Sequence, residues 1–197
     1  MSPARPRSTE KLVPPPPPTA AQLRTAVNLT VRDLIAPDLH VLFCGINPGL
    51  YTAAMGHHFA RPGNRFWPAL HGGGFTPRVL APWEEQQLLP LGCGITNVVA
   101  RTTATAAELR PEELVEGGRL LAAKVRRTRP RWLAVLGIGA YRRAFGEPGA
   151  TLGEQARRIG DTRVWVLPNP SGLNAHYTAA ALARLFGELR AAAEEAA

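Results

Sequence analysis

The sequence predicts a three-layer α/β/α sandwich with a short, mostly parallel central sheet. Short apolar runs of the kind that form buried strands occur at His40–Cys44, Gly94–Val98, Trp132–Leu136 and Arg163–Leu167. Helical patterns lie between these runs. Strands that alternate with helices favour a parallel sheet with helices on both of its faces.

The predicted helices differ in the strength of their signals. Asn64 is a suitable cap for the second helix, and Pro111 suits the first turn of the fourth. The last helix carries an apolar stripe that would pack on the sheet. In chain order the predicted helices are Ala21–Asp33, Asn64–His71, Trp83–Leu89, Pro111–Arg129, Ala140–Phe145 and Thr178–Glu195.

Composition divides the 197 residues into a tail and one domain. Residues 1–26 include five consecutive prolines and predict a disordered, proline-rich tail, whereas residues 27–197 predict a single domain. A proline-rich ligand for a partner domain is the alternative interpretation of the tail. No apolar stretch reaches the roughly 20 residues of a membrane span, and no secretory signal is recognisable. We therefore expect a cytoplasmic protein with no membrane contact.

The charge and the cysteines narrow the possible partners. A net charge of +8 and a pI near 10.7 favour a polyanionic partner such as nucleic acid. Almost all of the positive charges are arginines, since Lys11 and Lys124 are the only lysines. Such a bias towards arginine can reflect the base composition of the genome as easily as DNA binding. Two cysteines, Cys44 and Cys93, exclude a disulfide framework or a four-cysteine metal site and are expected in the core.

Two of the predicted strands end in an Asn-Pro loop. The first loop has the sequence GINPG at residues 45–49, and the second has PNPSGLN at residues 168–174. Ligands of open α/β sheets bind just beyond the carboxyl ends of the strands. The two loops could therefore face each other across one binding site, although an Asn-Pro-Gly sequence alone is also simply a good turn.

Four motifs occur in a fixed order along the chain: GINPGL at 45–50, GHHF at 56–59, RPGNRFW at 61–67 and LPNPSGL at 167–173. This series resembles the mismatch-specific uracil and thymine DNA glycosylases, a branch of the uracil-DNA glycosylase superfamily, over about residues 33–190. The resemblance implies a base-excision-repair enzyme that flips uracil out of double-stranded DNA. Uracil opposite guanine is the expected substrate, and thymine or modified pyrimidines are further candidates. Residues 96–99 and 101–103 also resemble the family, with no role that we can assign from the sequence.

The resemblance also implies roles for individual positions. Asn47 falls on the catalytic Asn that orients the attacking water, and Phe59 on the aromatic residue that stacks on the flipped base. Thr52 matches a position that tunes which base is accepted, while Ile46 and Phe59 would offer backbone groups to the base. Ser171 matches a phosphate contact. The resemblance places the wedge at Gly172, Leu173 and Asn174. Apart from the resemblance, Asn64 and Arg65 are candidate DNA contacts, Asn64 is equally a candidate helix cap, and His58 is a candidate substrate contact.

The residue types limit the chemistry. Because the Asn47 amide is not a base at neutral pH, it can position water but cannot deprotonate it, which favours a dissociative route. A glycosylase-lyase needs an amine nucleophile, and neither Lys11 in the tail nor Lys124 on a helix is expected at the site, so a monofunctional enzyme is predicted. The family commonly has Arg where this chain has Ala175, so the strictness for an opposite guanine is open.

Other interpretations carry less support. The LGIGA sequence at 136–140 lacks the third glycine of a dinucleotide fingerprint, and the His57-His58 pair lacks metal-ligand spacing. We therefore expect no metal and no cofactor. An arginine-rich run at 119–131 is expected to be a solvated helix face. The alternative function is a non-catalytic damaged-DNA-binding module of the same fold. A monomer, associated with the nucleoid of a bacterium, is the expected state.

Overall fold

The structure, a computed structural model, describes residues 14–195. Five strands form one sheet: β1 (Val41–Gly45), β2 (Cys93–Asn97), β3 (Trp132–Leu136), β4 (Gly153–Ile159) and β5 (Thr162–Leu167). Their order is β2-β1-β3-β5-β4, and every neighbouring pair is parallel except the antiparallel pair of β4 and β5. The four predicted strands are all present, each within one residue of its predicted ends.

Strand β4 was not predicted, because its sequence GEQARRI is polar and only Ile159 is buried. It forms the edge of the sheet, where charged side chains keep an exposed strand from pairing with other chains. A two-residue turn at Gly160-Asp161 joins β4 to β5, with Ile159 paired to Thr162. Gly160 has a φ of 62°, which this tight hairpin turn requires.

Residues 14–195 contain six α-helices, which follow the predicted pattern with one addition and one correction. The predicted helix Ala21–Asp33 is wrong in its extent: it ends at Thr25, and residues 26–33 are not helical, with Asn28 at a φ of 64°. The helix α2 (Leu50–Met55) was not predicted; it begins directly after the first Asn-Pro loop, and no side chain caps its first turn. A 3-10 helical segment at Pro82–Leu91 takes the place of the predicted Trp83–Leu89 helix. The other helices are α1 (Ala20–Thr25), α3 (Phe66–Gly72), α4 (Pro111–Thr128), α5 (Ile138–Phe145) and α6 (Ala179–Glu195).

The helices cover the two faces of the sheet. Helices α3 and α6 pack on one face, where Phe43 of β1 contacts the rings of Phe66 and Phe186. Helices α4 and α5 pack on the other face, against Leu42 of β1 and Leu133 of β3. Alternate residues of each inner strand therefore enter different cores, as strand geometry requires. The predicted three-layer α/β/α fold is confirmed.

The amino-terminal boundary differs from the prediction. The expected tail at 1–26 includes helix α1, whose Thr19 forms a capping box with Gln22. Ala26 is fully buried against Val31 and Ala53, because this segment packs on helix α2. Residues 1–13 of the predicted tail lie outside the described part of the chain. No helix within residues 14–195 is long and apolar enough to cross a membrane.

Candidate functional site

A cavity of about 360 Å³ opens at the carboxyl ends of the parallel strands. Its wall includes residues from the end of each parallel strand or the loop that follows it, among them Ile46 after β1, Asn97 of β2, Leu136 of β3 and Asn169 after β5. The volume falls within the range of small-molecule pockets. The two Asn-Pro loops therefore lie on opposite sides of one cavity, as expected from their positions after strands.

Asn47 lines this cavity with its carboxamide held in one orientation. Its Nδ2 donates to the Thr103 hydroxyl at 2.7 Å, to the Arg101 carbonyl at 3.0 Å and to the Pro48 carbonyl at 3.2 Å. The two carbonyls can only accept, and the Thr103 hydroxyl donates its own proton to the Thr105 carbonyl. These partners identify the nitrogen end of the amide. The Oδ1 atom has no hydrogen-bond partner within residues 14–195 and is the end left for a ligand.

The segment that follows β2 anchors the first loop. Val99 donates its backbone N–H to Ile46 O at 2.9 Å, and Thr103 donates to Pro48 O at 3.2 Å. The Arg101 guanidinium forms a two-bond ion pair with Glu113 at the start of helix α4, at 2.8 and 3.0 Å. This guanidinium lowers the pKa of the Glu113 carboxyl to about 2. Residues 97–103, whose role the sequence did not reveal, therefore fix the position of Asn47.

Phe59 forms an aromatic wall of the cavity. Its ring stacks on Phe66 with a centroid distance of 4.1 Å and an interplanar angle of 23°. Its backbone has a φ of +53°, an uncommon conformation for a bulky residue that costs of order 1–3 kcal/mol. A Cβ added at Gly45 would lie 3.3 Å from Phe59 Cζ and 2.5 Å from Asn97 Oδ1. Glycine at position 45 therefore lets both side chains approach the end of β1.

Three contacts fix the residue that precedes Phe59. The His58 backbone N–H donates to the buried Glu85 carboxylate at 2.9 Å, and the His58 carbonyl accepts from the Trp67 indole at 3.3 Å. His58 Nε2 lies 3.0 Å from the Arg32 carbonyl, so the ring nitrogen that carries the proton is Nε2. Burial lowers the pKa of the imidazole below its usual value. The ring is therefore neutral at pH 7.

Glu85 was not anticipated from the sequence. Its other carboxylate oxygen lies 3.0 Å from His57 Nδ1, so one buried acid binds two successive residues of the turn that leads to Phe59. Glu85 lies on the 3-10 segment Pro82–Leu91, more than 25 positions after the turn that it holds. No local sequence pattern signals such a contact.

Two further predicted pocket residues lie at the cavity. Thr52 is buried on helix α2, and the Ile46 side chain packs beside Gly137, where an added Cβ would come within 3.1 Å of it. The backbone N–H groups of Ile46 and Phe59 have no partner in the described part of the chain. Asn97, which the sequence left without a role, also lines the cavity, and its amide likewise makes no hydrogen bond to residues 14–195.

The second loop presents an apolar side chain to solvent. Leu173 is 71% exposed, the most exposed large apolar residue of the described chain. Gly172 packs against the Gly63 carbonyl, where an added Cβ would lie at 2.5 Å. Asn174 uses its side chain inside the loop, donating to Asn169 O at 2.9 Å and accepting from the His176 N–H at 3.2 Å. The Ser171 hydroxyl oxygen accepts from the Leu173 N–H at 3.3 Å.

Of the two roles considered for Asn64, the structure shows the one at the start of the helix, and its contact with DNA stays a prediction. Its Oδ1 accepts the backbone N–H of Phe66 at 2.9 Å, which is the hydrogen bond of a helix cap, and the residue also lines the cavity. Lys124, expected on a solvated face, instead contacts Asp33 Oδ2 at 2.5 Å and Thr96 Oγ1 at 2.8 Å. Within residues 14–195, no lysine lines the cavity and no cluster of three His, Cys, Asp or Glu side chains is placed to bind a metal.

The sheet order and the cavity beyond the strand ends define an α/β protein with a candidate ligand site at the carboxyl edge of the sheet. A family model described as the uracil DNA glycosylase superfamily matches residues 32–191. The match covers most of the chain, from just before β1 to the last turns of α6. The protein belongs to the uracil DNA glycosylase superfamily, whose members are DNA glycosylases that act in base excision repair.

Proposed function

We propose that this chain is a monofunctional, mismatch-specific uracil-DNA glycosylase that removes uracil, above all uracil opposite guanine, from double-stranded DNA. The observation that carries the proposal is the fixed Asn47 amide. Because three acceptors hold its nitrogen, its oxygen is the free end at the cavity. A carboxamide oxygen held in this way can accept a hydrogen bond from a water molecule and aim that water at the C1′ atom of a nucleotide.

The proposed reaction is hydrolysis of the N-glycosidic bond. Asn47 does not remove a proton, so the bond to the base breaks first and the sugar gains oxocarbenium character. The departing uracil is then an anion, and hydrogen-bond donors directed at its oxygens stabilise it in the transition state. The unpartnered N–H groups of Ile46 and Phe59 support this role. Water adds to C1′, its proton leaves to solvent, and an abasic site remains.

The base is proposed to lie against Phe59. Phe66 occupies one face of this ring, so the other face is the one that a base can use, and such stacking contributes about 1–3 kcal/mol per base. Asn97 has an unpartnered amide with both a donor and an acceptor, which suits the paired donor and acceptor of a uracil edge. Thr52 and neutral His58 complete the proposed pocket.

Leu173 is proposed to enter the space that the flipped base leaves. Extrusion costs a few kcal/mol, and an apolar wedge inserted between base steps offsets part of that cost. The 71% exposure of this leucine supports the assignment, since an apolar side chain in a polar loop gains most when it inserts into a stack. Ser171, Gly172, Asn174 and Asn64 are proposed to contact the DNA around the wedge. Thymine and modified pyrimidines are proposed as further substrates.

The first test is single-turnover excision from a duplex that contains one G:U pair. Wild-type protein should release uracil, and Asn47→Ala should lower the rate at least about 100-fold with duplex affinity retained, because the water loses its positioning group. Excision by the wild type would exclude the alternative function, a non-catalytic damaged-DNA-binding module. Equal rates for the wild type and Asn47→Ala would contradict the role given to this amide.

A second test addresses the wedge and the partner. Leu173→Ala should lower excision from duplex more than from single-stranded DNA, because only the duplex must be wedged open. Equal losses on both substrates would contradict this assignment. Duplex affinity should fall steeply as the salt concentration rises, since phosphate contacts release counterions. The monomeric state and the cytoplasmic, nucleoid-associated localisation remain predictions.

A further inference from the structure

One arginine holds the second loop from within. Arg65, which precedes helix α3, directs its guanidinium at the backbone of residues 171–177. Its Nη2 donates to Ser171 O at 2.7 Å and to Asn174 O at 2.5 Å, while its Nη1 donates to Tyr177 O. A single cation therefore binds three carbonyls of the loop that carries Leu173. Charge-assisted contacts of this kind are roughly twice as strong as neutral hydrogen bonds.

Backbone contacts attach the same loop to the same segment. The Arg65 N–H donates to Pro170 O at 2.9 Å, and Gly172 packs against the Gly63 carbonyl. The Arg65 Nε atom is buried without a partner, which carries a desolvation cost that the three carbonyl contacts must offset. These contacts indicate that the guanidinium binds the loop and is not directed at solvent.

The position of Arg65 in the chain links the loop to the cavity. The next residue is Phe66, whose ring supports Phe59, and the preceding residue is Asn64, which lines the cavity. The wall proposed to hold the base and the loop proposed to wedge the duplex therefore meet at one residue. Arg65 is connected to the cavity through its two neighbours in the chain, without lining the cavity itself.

We propose that Arg65 is a positioning residue that sets the conformation of the wedge loop before DNA arrives. This inference rests on the proposed function and adds a determinant of its preference for duplex DNA. A loop ordered in advance does not lose its conformational freedom on binding, so more of the contact energy remains for base extrusion. A competing assignment is a direct phosphate contact by Arg65.

The variants are Arg65→Gln, Arg65→Lys and, for a rescue measurement, Arg65→Ala, with Arg78→Gln as the matched control. Arg78 pairs with Glu84 on the surface and does not contact the second loop. Glutamine keeps two N–H donors but loses the charge and the reach to three carbonyls. Lysine keeps the charge and has three N–H donors, but all three are on one nitrogen, without the planar fork of the guanidinium. The midpoint of thermal unfolding identifies any variant that fails to fold.

The first measurement needs neither DNA nor activity. Hydrogen exchange of the amides of residues 171–177 in the free protein should accelerate in Arg65→Gln, stay as in the wild type in Arg78→Gln and be intermediate in Arg65→Lys. Unchanged exchange in Arg65→Gln would overturn the proposal whatever the enzyme does. Absence of excision by the wild type would instead reject the proposed function and leave this measurement valid.

The second measurement separates positioning from phosphate binding. Arg65→Gln should lose about 10- to 100-fold in duplex excision relative to single-stranded excision, the scale expected for a misplaced group. The slope of log affinity against log salt should stay at the wild-type value, and added methylguanidinium should restore part of the duplex rate of Arg65→Ala. A slope reduced by about one would show a lost phosphate contact and overturn the proposal.

Discussion

Replacing Thr103 by valine tests the orientation of the Asn47 amide, which we propose to be catalytic. The Asn47 amide has two N–H hydrogens and three acceptors, of which the Thr103 hydroxyl is the nearest at 2.7 Å. Valine keeps the shape of threonine but removes that acceptor. The Pro48 carbonyl at 3.2 Å can then take over part of the freed hydrogen, so the loss is that of one ordinary hydrogen bond, about 0.5–1.5 kcal/mol.

This energy corresponds to a roughly 2- to 10-fold slower chemical step. Single-turnover excision from a G:U duplex at saturating enzyme measures the step, and duplex affinity should not change because Thr103 is buried. Thr103→Ser is the matched control, since serine keeps the hydroxyl and should remain near the wild-type rate. If valine and serine variants react equally fast, the hydroxyl does not orient Asn47 and the reasoning fails.

Three other predictions concern stability and pH. Gly118→Ala should lower the free energy of unfolding by about 1–3 kcal/mol in urea titrations, because its Cβ would lie 2.3 Å from Ala144 O, whereas Gly139→Ala, with open space around it, should be neutral or slightly stabilising. Lowering the pH from 7.5 to 5.5 should destabilise the protein, because His58 takes up a proton at its usual pKa in the unfolded state but only at lower pH in the folded state. His58→Asn should make the free energy of unfolding less dependent on pH over this range. Asn47→Asp should excise more slowly than the wild type at pH 8 and gain as the pH falls, because two carbonyl oxygens beside the new carboxyl raise its pKa.

The fold was predictable where burial is continuous. Strands β1 and β3 are buried at every position, so their sequences are plain apolar runs, and helices α4 and α6 carry clear capping or periodic signals. Strand β4 lies at the edge and is largely polar, which removes the alternation that identifies a strand. Helix α2 has only six residues and begins without a side-chain cap. The conformation of such elements depends on the residues that they pack against. A local sequence pattern carries no information about those residues.

The candidate site was likewise predictable only in part from the sequence. The motifs marked the residues that line the cavity from the two Asn-Pro loops, and the structure brings Asn47, Phe59 and Leu173 to one side of the molecule. The motifs did not show which groups hold these residues, although RPGNRFW contains Arg65 and the resemblance includes residues 101–103. Glu85 and Arg65 act through contacts with backbone atoms, and the Asn47 amide depends partly on backbone carbonyls. Any residue type supplies a backbone carbonyl, so a sequence carries no sign of such a partner.

The arrangement of supports suggests how a site without a catalytic base can work. In the proposed mechanism Asn47 transfers no proton, so its effect on the rate depends on how precisely its oxygen is placed. Displacement of such a group by 1 Å can cost about 100-fold in rate. The segment after β2 restrains that amide and begins with Asn97, which faces the same cavity. The proposed water positioning and the proposed base recognition thus both depend on the segment at the end of β2, which the Arg101–Glu113 ion pair ties to α4. Arg65 holds the wedge loop separately, from the start of α3. Changes near β2 should therefore alter the chemical step on every substrate, whereas changes around Arg65 should alter only the ability to open a duplex.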